Sequence, residues 1–346
     1  MNKGMGDGMM DWTHADWRRA LRKAYNEKQP PKARRNISLP NALTITRLNP
    51  DTIKLSMTAE GVCSNVQTDA AAFESWAMAL KLWLGRGNGV DQIVLTWPHP
   101  KGVIVDGRRT TAGLHYERFL YRVHIFRRMF KDWFNVDPSC EQQLADSDAI
   151  HAPSLWLNAA SDKRGKTLAS SGRRKNLPEH ELEAQLVRSG YFRDAMQLND
   201  HARRQFPVGL FNTERPSNKS RIFTGGKSAI DMIGVTNDGT FIVFELKALG
   251  NIPAGALSEL LLYTALVREA ADEAARIKFY GEPSWAADVK NCKRVSGVLL
   301  ADKFHPLLEH ERLIPVLNEG AERAWGKAKP VSFDRVRVDR KQWLRP

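Results

Sequence analysis

The chain is 346 residues long, enough for two domains that each bury a core, and its 52 Lys+Arg against 39 Asp+Glu leave a formal charge of +13. That balance favours polyanionic partners, nucleic acid first; a membrane partner is disfavoured because no run of about 18 apolar residues occurs and the opening residues lack the order of a secretion signal. Cys63, Cys140 and Cys292 are odd in number and far apart, which argues against a disulfide framework or a paired-cysteine zinc site and leaves a soluble, cytoplasmic protein with reduced thiols as the expectation.

Residues 1–35 hold Arg18, Arg19, Arg22, Lys23, Lys28, Lys32, Arg34 and Arg35 among Trp12, Trp17 and Tyr25, with Pro30-Pro31 near the end. The pattern predicts a basic helix followed by an arm. Two readings stand side by side: a phosphate-tracking element with aromatics for stacking, its contacts made by Arg18, Arg19, Arg22 and Lys23, or a solvated helix face.

Residues 36–135 read as an α+β domain. Alternation from Ala42 to Val66, broken at Asn49-Pro50-Asp51, predicts a hairpin. Phe73, Trp76, Ala77, Leu80 and Trp83 recur at helical spacing, and Gly85 to Gly89 is expected to stop that helix. A short strand follows at Gln92 to Trp97. A second helix is expected from about His115 to Phe134, with Phe119, Val123, Phe126, Phe130 and Trp133 on one side and Arg118, Arg122, Arg127, Arg128 and Lys131 elsewhere around it. The aromatic stripes read as core, and no catalytic signature appears in this part of the chain.

Residues 136–176 lose periodicity and end in a Ser-, Gly- and base-rich stretch, so they are expected to be an interdomain linker. Its Arg173, Arg174 and Lys175 are further candidates for nucleic-acid contact. From 177 to 346 the order becomes helix, strand, strand, helix, strand, helix, strand: an α/β unit with a mixed sheet flanked by helices.

Two β-rich apolar runs, Ala229 to Thr236 and Thr240 to Lys247, are joined by Asn237-Asp238-Gly239 and predict a β-hairpin. A turn centred on Asp238 sets Asp231 opposite Glu245 on one face, and Lys247 shares that face. Opposed carboxylates repel and need a compensating charge, for which a divalent cation is the natural choice. Two hard oxygen ligands with open positions for water and a phosphate oxygen describe a magnesium site that polarises phosphodiesters. Lys247 could position or help deprotonate the attacking water and offset charge on the phosphoryl group.

In these residues, Asp231 and then, after thirteen others, Glu245-Leu246-Lys247, the segment resembles the PD-(D/E)XK nuclease superfamily of restriction enzymes, Holliday-junction resolvases and repair and phage-defence nucleases. Ile230 stands where the motif name has Pro. The resemblance implies a restriction-endonuclease-like fold, Asp231, Glu245 and the Leu246 carbonyl as metal ligands, and Lys247 as the group that assists water. Upstream, Glu179-His-Glu-Leu-Glu-Ala-Gln-Leu-Val-Arg-Ser-Gly-Tyr looks like the first helix of the resolvase-type members. It implies Glu179 as a further metal-facing acid, with Glu183 the alternative and Glu181 the weaker one; simple preference of acids for a helix N-terminus is the plainer reading. The helix from Gly255 and the strand from Val295 follow in the order the resemblance requires, and Glu259 and Tyr263 on that helix could face the site. The likeness spans about Leu177 to Leu300.

The expectation is therefore a nuclease, a hydrolase of phosphodiester bonds that uses Mg2+ with Mn2+ as a substitute. It would be an endodeoxyribonuclease of DNA repair, restriction or phage defence, acting on DNA rather than RNA. The alternative is a non-catalytic nucleic-acid-binding or assembly protein on the same fold. The N-terminal domain would supply phosphate contacts or recruit a partner protein or a second copy of the chain. An ordinary Glu245–Lys247 ion pair on a sheet edge is disfavoured by the apolar flanks. A zinc enzyme is disfavoured because the nine histidines lack ligand spacing. Gly225-Gly226-Lys227-Ser228 is no phosphate loop, since Arg221 stands where the earlier glycine belongs.

Overall fold

The computed structural model of the chain describes residues 12–30, 32, 36–88, 90–157, 178–200, 202–214, 217, 219–223, 229–247, 253–272, 276–279, 283–339 and 343. Gly225 to Ser228 and the basic Arg173, Arg174 and Lys175 lie outside these residues.

Thr13 starts helix α1 (His14–Glu27) with a capping box: its hydroxyl accepts from the Asp16 N–H at 3.3 Å, and the Asp16 carboxylate accepts from the Thr13 N–H at 3.0 Å. Trp17, Leu21 and Tyr25, four apart, form the buried stripe. Trp17 and Tyr25 are thus core residues and not open stacking platforms, a correction to the phosphate-tracking reading. Arg18, Arg19, Arg22 and Lys23 are exposed on the other side.

Strands β1 (Leu43–Asn49) and β2 (Thr52–Met57) form the expected antiparallel hairpin. A short helix α2 (Ala59–Val62) leads to α3 (Phe73–Asn88), which continues past Gly85, where the helix was expected to stop. Strand β3 (Gln92–Thr96) lies parallel to β2. A two-stranded ribbon, β4 (Ile104–Val105) with β5 (Arg108–Arg109), precedes α4 (Thr111–Phe130), and β6 (Phe134–Val136) completes a four-stranded sheet of order β1-β2-β3-β6.

Residues 137–157 do not behave as a linker. They form two short helices, α5 (Glu141–Ala145) and α6 (Asp148–His151), and a strand β7 (Leu155–Leu157). Their lack of periodicity reflects the shortness of these pieces, too brief to repeat.

The second half contributes α7 (Pro178–Arg188), α8 (Gly190–Ala195), β8 (Arg203–Pro207), β9 (Leu210–Phe211), β10 (Ala229–Val235), β11 (Thr240–Lys247), α9 (Gly255–Ala270), β12 (Ile277–Phe279), α10 (Pro283–Asn291), β13 (Arg294–Ala301), α11 (Leu313–Trp325) and β14 (Val331–Arg337). Five strands make a mixed sheet of order β14-β13-β11-β10-β8, in which β11, β13 and β14 run parallel and β10 pairs antiparallel with both β11 and β8. The chain is accordingly a mixed α/β protein. Edge strand β8 is absent from the sequence reading because its Arg203-Arg204 opening hides a short extended run.

Helix α9 packs on one face of this sheet, where Gly297 of β13 leaves room for it: an added Cβ would overlap the Thr264 hydroxyl and the Phe333 ring. On the other face, Leu182 and Leu186 of α7 and Phe192 of α8 close a smaller core over Met232, Ile242, Phe244 and Leu246.

The two halves are knit together. Strand β7 runs parallel to β12 and antiparallel to β9, and one hydrophobic core continues from Trp17 to Phe333. Helices α4 and α9 are buried on most of their circumference, as helices between two layers are. Arg118 and Arg122 of α4 are buried as well. Arg122 makes a two-pronged pair with Glu74 of α3, its Nε donating at 2.7 Å, and Glu74 also accepts from the Ser258 hydroxyl of α9 at 2.8 Å. Ser75 donates to the Ala254 carbonyl at 2.5 Å across the same seam.

Candidate active site

The hairpin that builds the site is closed by its own turn chemistry. Gly239 takes φ +86, and the Asp238 carboxylate accepts from the Thr240 N–H at 3.2 Å and its hydroxyl at 2.9 Å. The register runs Met232↔Phe244 to Val235↔Phe241, and one step further along it stand Asp231 and Glu245. The Leu246 N–H donates to Asp231 Oδ2 at 2.8 Å, which fixes that carboxylate against the start of the Glu-Leu-Lys triplet.

Strand β11 is buried at every position and flanked by β10 and β13, so its charges lie inside the sheet and not on an edge. Glu245 and Glu259 are each 1% exposed and Lys247 7%. The Lys247 ammonium is 2.6 Å from Glu245 Oε1 and 3.0 Å from Glu259 Oε2, bridging β11 and α9. Asp231 at the start of β10 and Lys247 at the end of β11 share one end of the sheet. Acids from the helices on both faces, Glu179 and Glu183 of α7 and Glu259 of α9, approach there and act on these groups.

Glu183, 1% exposed, is held by Arg204 of β8 at 3.0 and 3.1 Å, by the Gln205 amide at 3.0 Å and by a His180 ring nitrogen at 3.2 Å. Gln205, at φ +54, lies between the pairs Ile230↔Phe206 and Met232↔Arg204. Of the acids on α7, Glu183 is therefore clamped by protein groups, Glu181 is exposed beside Gln185, and Glu179 lies within electrostatic range of Lys247 with its Oε1 buried and accepting no hydrogen bond.

Electrostatics follow from this crowding. Burial raises the Asp231 carboxyl well above the ordinary range; Lys247 and the Leu246 N–H oppose the rise, while Glu183 and Glu259 add to it. The residue is half-buried. Glu245 is raised well above its usual value by burial, then by Asp231 and Glu259. Glu179 is raised by burial, with Lys247 opposing. Burial works against the charge on Lys247, yet Glu245, Glu259, Asp231 and Glu179 outweigh it and hold its pKa above that of an ordinary lysine. One buried ammonium is shared among more carboxylates than it can neutralise.

Whether such a site suits a divalent cation is decided by its unused acceptors. Glu179 Oε1 and Glu245 Oε2 are buried oxygens with no hydrogen bond, while Glu259 Oε2 meets the Lys247 ammonium at 3.0 Å; a buried acceptor is costly unless a cation or a proton serves it. Among the described residues no three carboxylate, imidazole or thiolate groups converge at ligand distance; Lys247 stands between Glu245 and Glu259 instead. The donor set of hard oxygens fits magnesium. Leu246 packs its side chain into the smaller core and lends its N–H to Asp231.

Two groups that sequence reasoning did not place belong to the surroundings. Arg204 had no signal beyond the short strand that carries it. Arg118 of α4 is 6.0 Å from the Phe223 ring centroid and close enough to Tyr263 and Glu259 for them to counter the effect of its burial. Tyr263 is buried, and that burial together with Glu259 and Glu245 pushes its hydroxyl well above the usual range.

Compared with known proteins, the chain matches no protein-family model, no curated protein and no solved structure. No helix among the described residues is long and apolar enough to cross a membrane.

Proposed function

We propose that the chain is a metal-dependent nuclease, an endodeoxyribonuclease that hydrolyses phosphodiester bonds with Mg2+ or Mn2+, and that its second half is a restriction-endonuclease-like unit of the PD-(D/E)XK type. One observation carries the reading: Glu179 and Glu245 each hold a buried oxygen without a donor, and with Asp231 and Glu259 they act on a single lysine at one end of a sheet. The sequence resemblance extends the proposal to a repair, restriction or phage-defence setting.

Asp231, Glu245, the Leu246 carbonyl and Glu179 would hold the ion, which supplies a Lewis acid for the phosphodiester and a more acidic water. Lys247 stays protonated among its carboxylates, so it serves as a cation and hydrogen-bond donor and not as a base. Its Nζ orients the attacking water and offsets charge that develops on the phosphoryl oxygens. Glu259 keeps that ammonium pointed at the acids, and the clamp on Glu183 fixes α7 against the sheet. Arg18, Arg19, Arg22 and Lys23 on the exposed side of α1 supply sequence-independent phosphate contacts.

A second reading, a nucleic-acid-binding or assembly protein with an idle site, draws on the Lys247 bridge, which already neutralises part of the cluster. Cleavage assays separate the two. Wild type and Asp231→Ala are compared on plasmid, linear duplex, single-stranded DNA and RNA in Mg2+, Mn2+ or EDTA. Wild type is expected to cut DNA with either metal and to stop in EDTA, with Asp231→Ala slower by about a hundredfold or more. Binding without cleavage on every substrate, or cutting that survives Asp231→Ala, overturns the nuclease reading.

A further inference from the structure

The ribbon β4–β5 plays no part in the acid cluster, yet it is firmly built. Ile104 pairs with Arg109 and Val105 with Arg108, across a turn in which Asp106 and Gly107 take φ +49 and +69, as two-residue hairpin loops require. Its base is fastened to α4. The Thr110 N–H donates to the Val103 carbonyl at 3.0 Å and its hydroxyl to the Gly102 carbonyl at 2.8 Å. Arg109 pairs with Asp148 and, at 3.3 Å, with Glu117, which in turn accepts from the Ser147 hydroxyl at 2.8 Å and the Ala149 N–H at 3.2 Å. Gly113 lets the Val103 carbonyl lie against the first turn of α4, where any Cβ would overlap it.

A ribbon fixed in this way could lay its apolar side chains on the protein body, and it does not. Ile104 is 59% exposed and Val105 53%, and with Leu48 they are the exposed large hydrophobics among the described residues. Successive residues of a strand point to opposite faces, so each face of the ribbon tip carries one bare aliphatic side chain. A flat partner would cover one face and leave the other wet; a groove covers both. Lys101 and Arg108 are exposed beside them, on a chain of formal charge +13, so the walls of that groove are anionic.

Groove dimensions then choose the nucleic acid. The major groove of B-form DNA, about 12 Å wide, admits a two-stranded ribbon without deformation, whereas the minor groove at about 6 Å must be opened and the duplex bent to take one. The major groove of A-form RNA is too narrow for side chains to read. We infer that the ribbon is a docking element for duplex DNA that enters the major groove, setting Ile104 and Val105 against base edges and thymine methyl groups with Lys101 and Arg108 toward the phosphate walls. From Thr110 to Arg118, beside Tyr263 and Glu259, α4 rises about 12 Å, well within one turn of a duplex, about 34 Å. The inference names the substrate of the proposed nuclease but stands on the ribbon alone, and binding measured without cleavage keeps the two apart.

The test is fluorescence anisotropy in EDTA with the full chain, wild type against Ile104→Ser/Val105→Ser. The probes are a DNA duplex, the same duplex with uracil for thymine, the single strand, and an RNA duplex. Wild type is expected to prefer the thymine-containing DNA duplex. The double variant should lose about tenfold or more on that duplex, lose the thymine preference, and bind the single strand as before, with an unchanged circular dichroism spectrum because both side chains are on the surface. Equal duplex binding by the two proteins, absence of duplex binding by wild type, or a wild-type dimer in light scattering that the variant dissolves would each overturn it. Ribbon-dependent duplex binding by a protein that never cuts with Mg2+ leaves this inference standing and removes the nuclease reading.

Discussion

Lys247→Ala is expected to slow phosphodiester cleavage by about 10²–10⁴-fold while leaving divalent-ion binding intact. The ammonium lies 2.6 Å from Glu245 and 3.0 Å from Glu259, so its loss removes the donor for the attacking water and leaves two buried carboxylates facing each other. Breaking a buried pair from one side costs about 3–5 kcal/mol, and the metal-free variant should melt earlier than wild type. Magnesium should recover more stability in the variant than in wild type, because the ion then replaces the ammonium that balanced Glu245 and Glu259. Single-turnover cleavage and thermal melting with and without Mg2+ measure both effects. A cleavage rate within a few-fold of wild type would remove Lys247 from the mechanism, and equal magnesium stabilisation of both proteins would show that the lysine does not compensate these acids.

The second large effect concerns the seam between the halves. Arg122→Met should lower unfolding free energy by about 3–5 kcal/mol, since Glu74, whose side chain is 2% exposed, would keep only the Ser258 hydroxyl among the described residues. Because one core runs from Trp17 to Phe333, urea unfolding followed by tryptophan fluorescence and by far-UV circular dichroism should show a single coincident transition in wild type and variant. Two separate transitions would mean that the halves fold independently, and a loss below about 1 kcal/mol would mean that the pair does not join them.

The parts of the fold that the sequence made legible are those fixed locally. Asn237-Asp238-Gly239 sets its turn from its own backbone and side chains, so the register that faces Asp231 toward Glu245 could be read before any tertiary contact was known. Helix α9 and strand β13 were legible for the same reason, as long apolar runs. Long-range approach was not legible. That Glu183 is clamped by Arg204 while Glu179 stays open depends on edge strand β8, whose basic opening concealed it. Trp17 and Tyr25 looked available for stacking because helical spacing identifies a shared side of a helix without saying what lies against it. Arg118 and Arg122 could be placed only off the aromatic side of their helix, without partners, for a related reason: a helix packed between two layers buries charged side chains that pair across the seam, and no period in α4 announces this. The short helices and strand after Val136 read as a linker because β7 finds its partners far along the chain, in β9 and β12.

The most direct measurement of the central claim is anomalous diffraction from crystals of the wild-type chain soaked in Mn2+. The expected result is a metal peak between the carboxylates of Asp231 and Glu245, with Lys247 moved off Glu245 and no such peak in Asp231→Ala. Soaked crystals with no density there, or with manganese bound only by other residues while Lys247 still bridges Glu245 and Glu259, would contradict it.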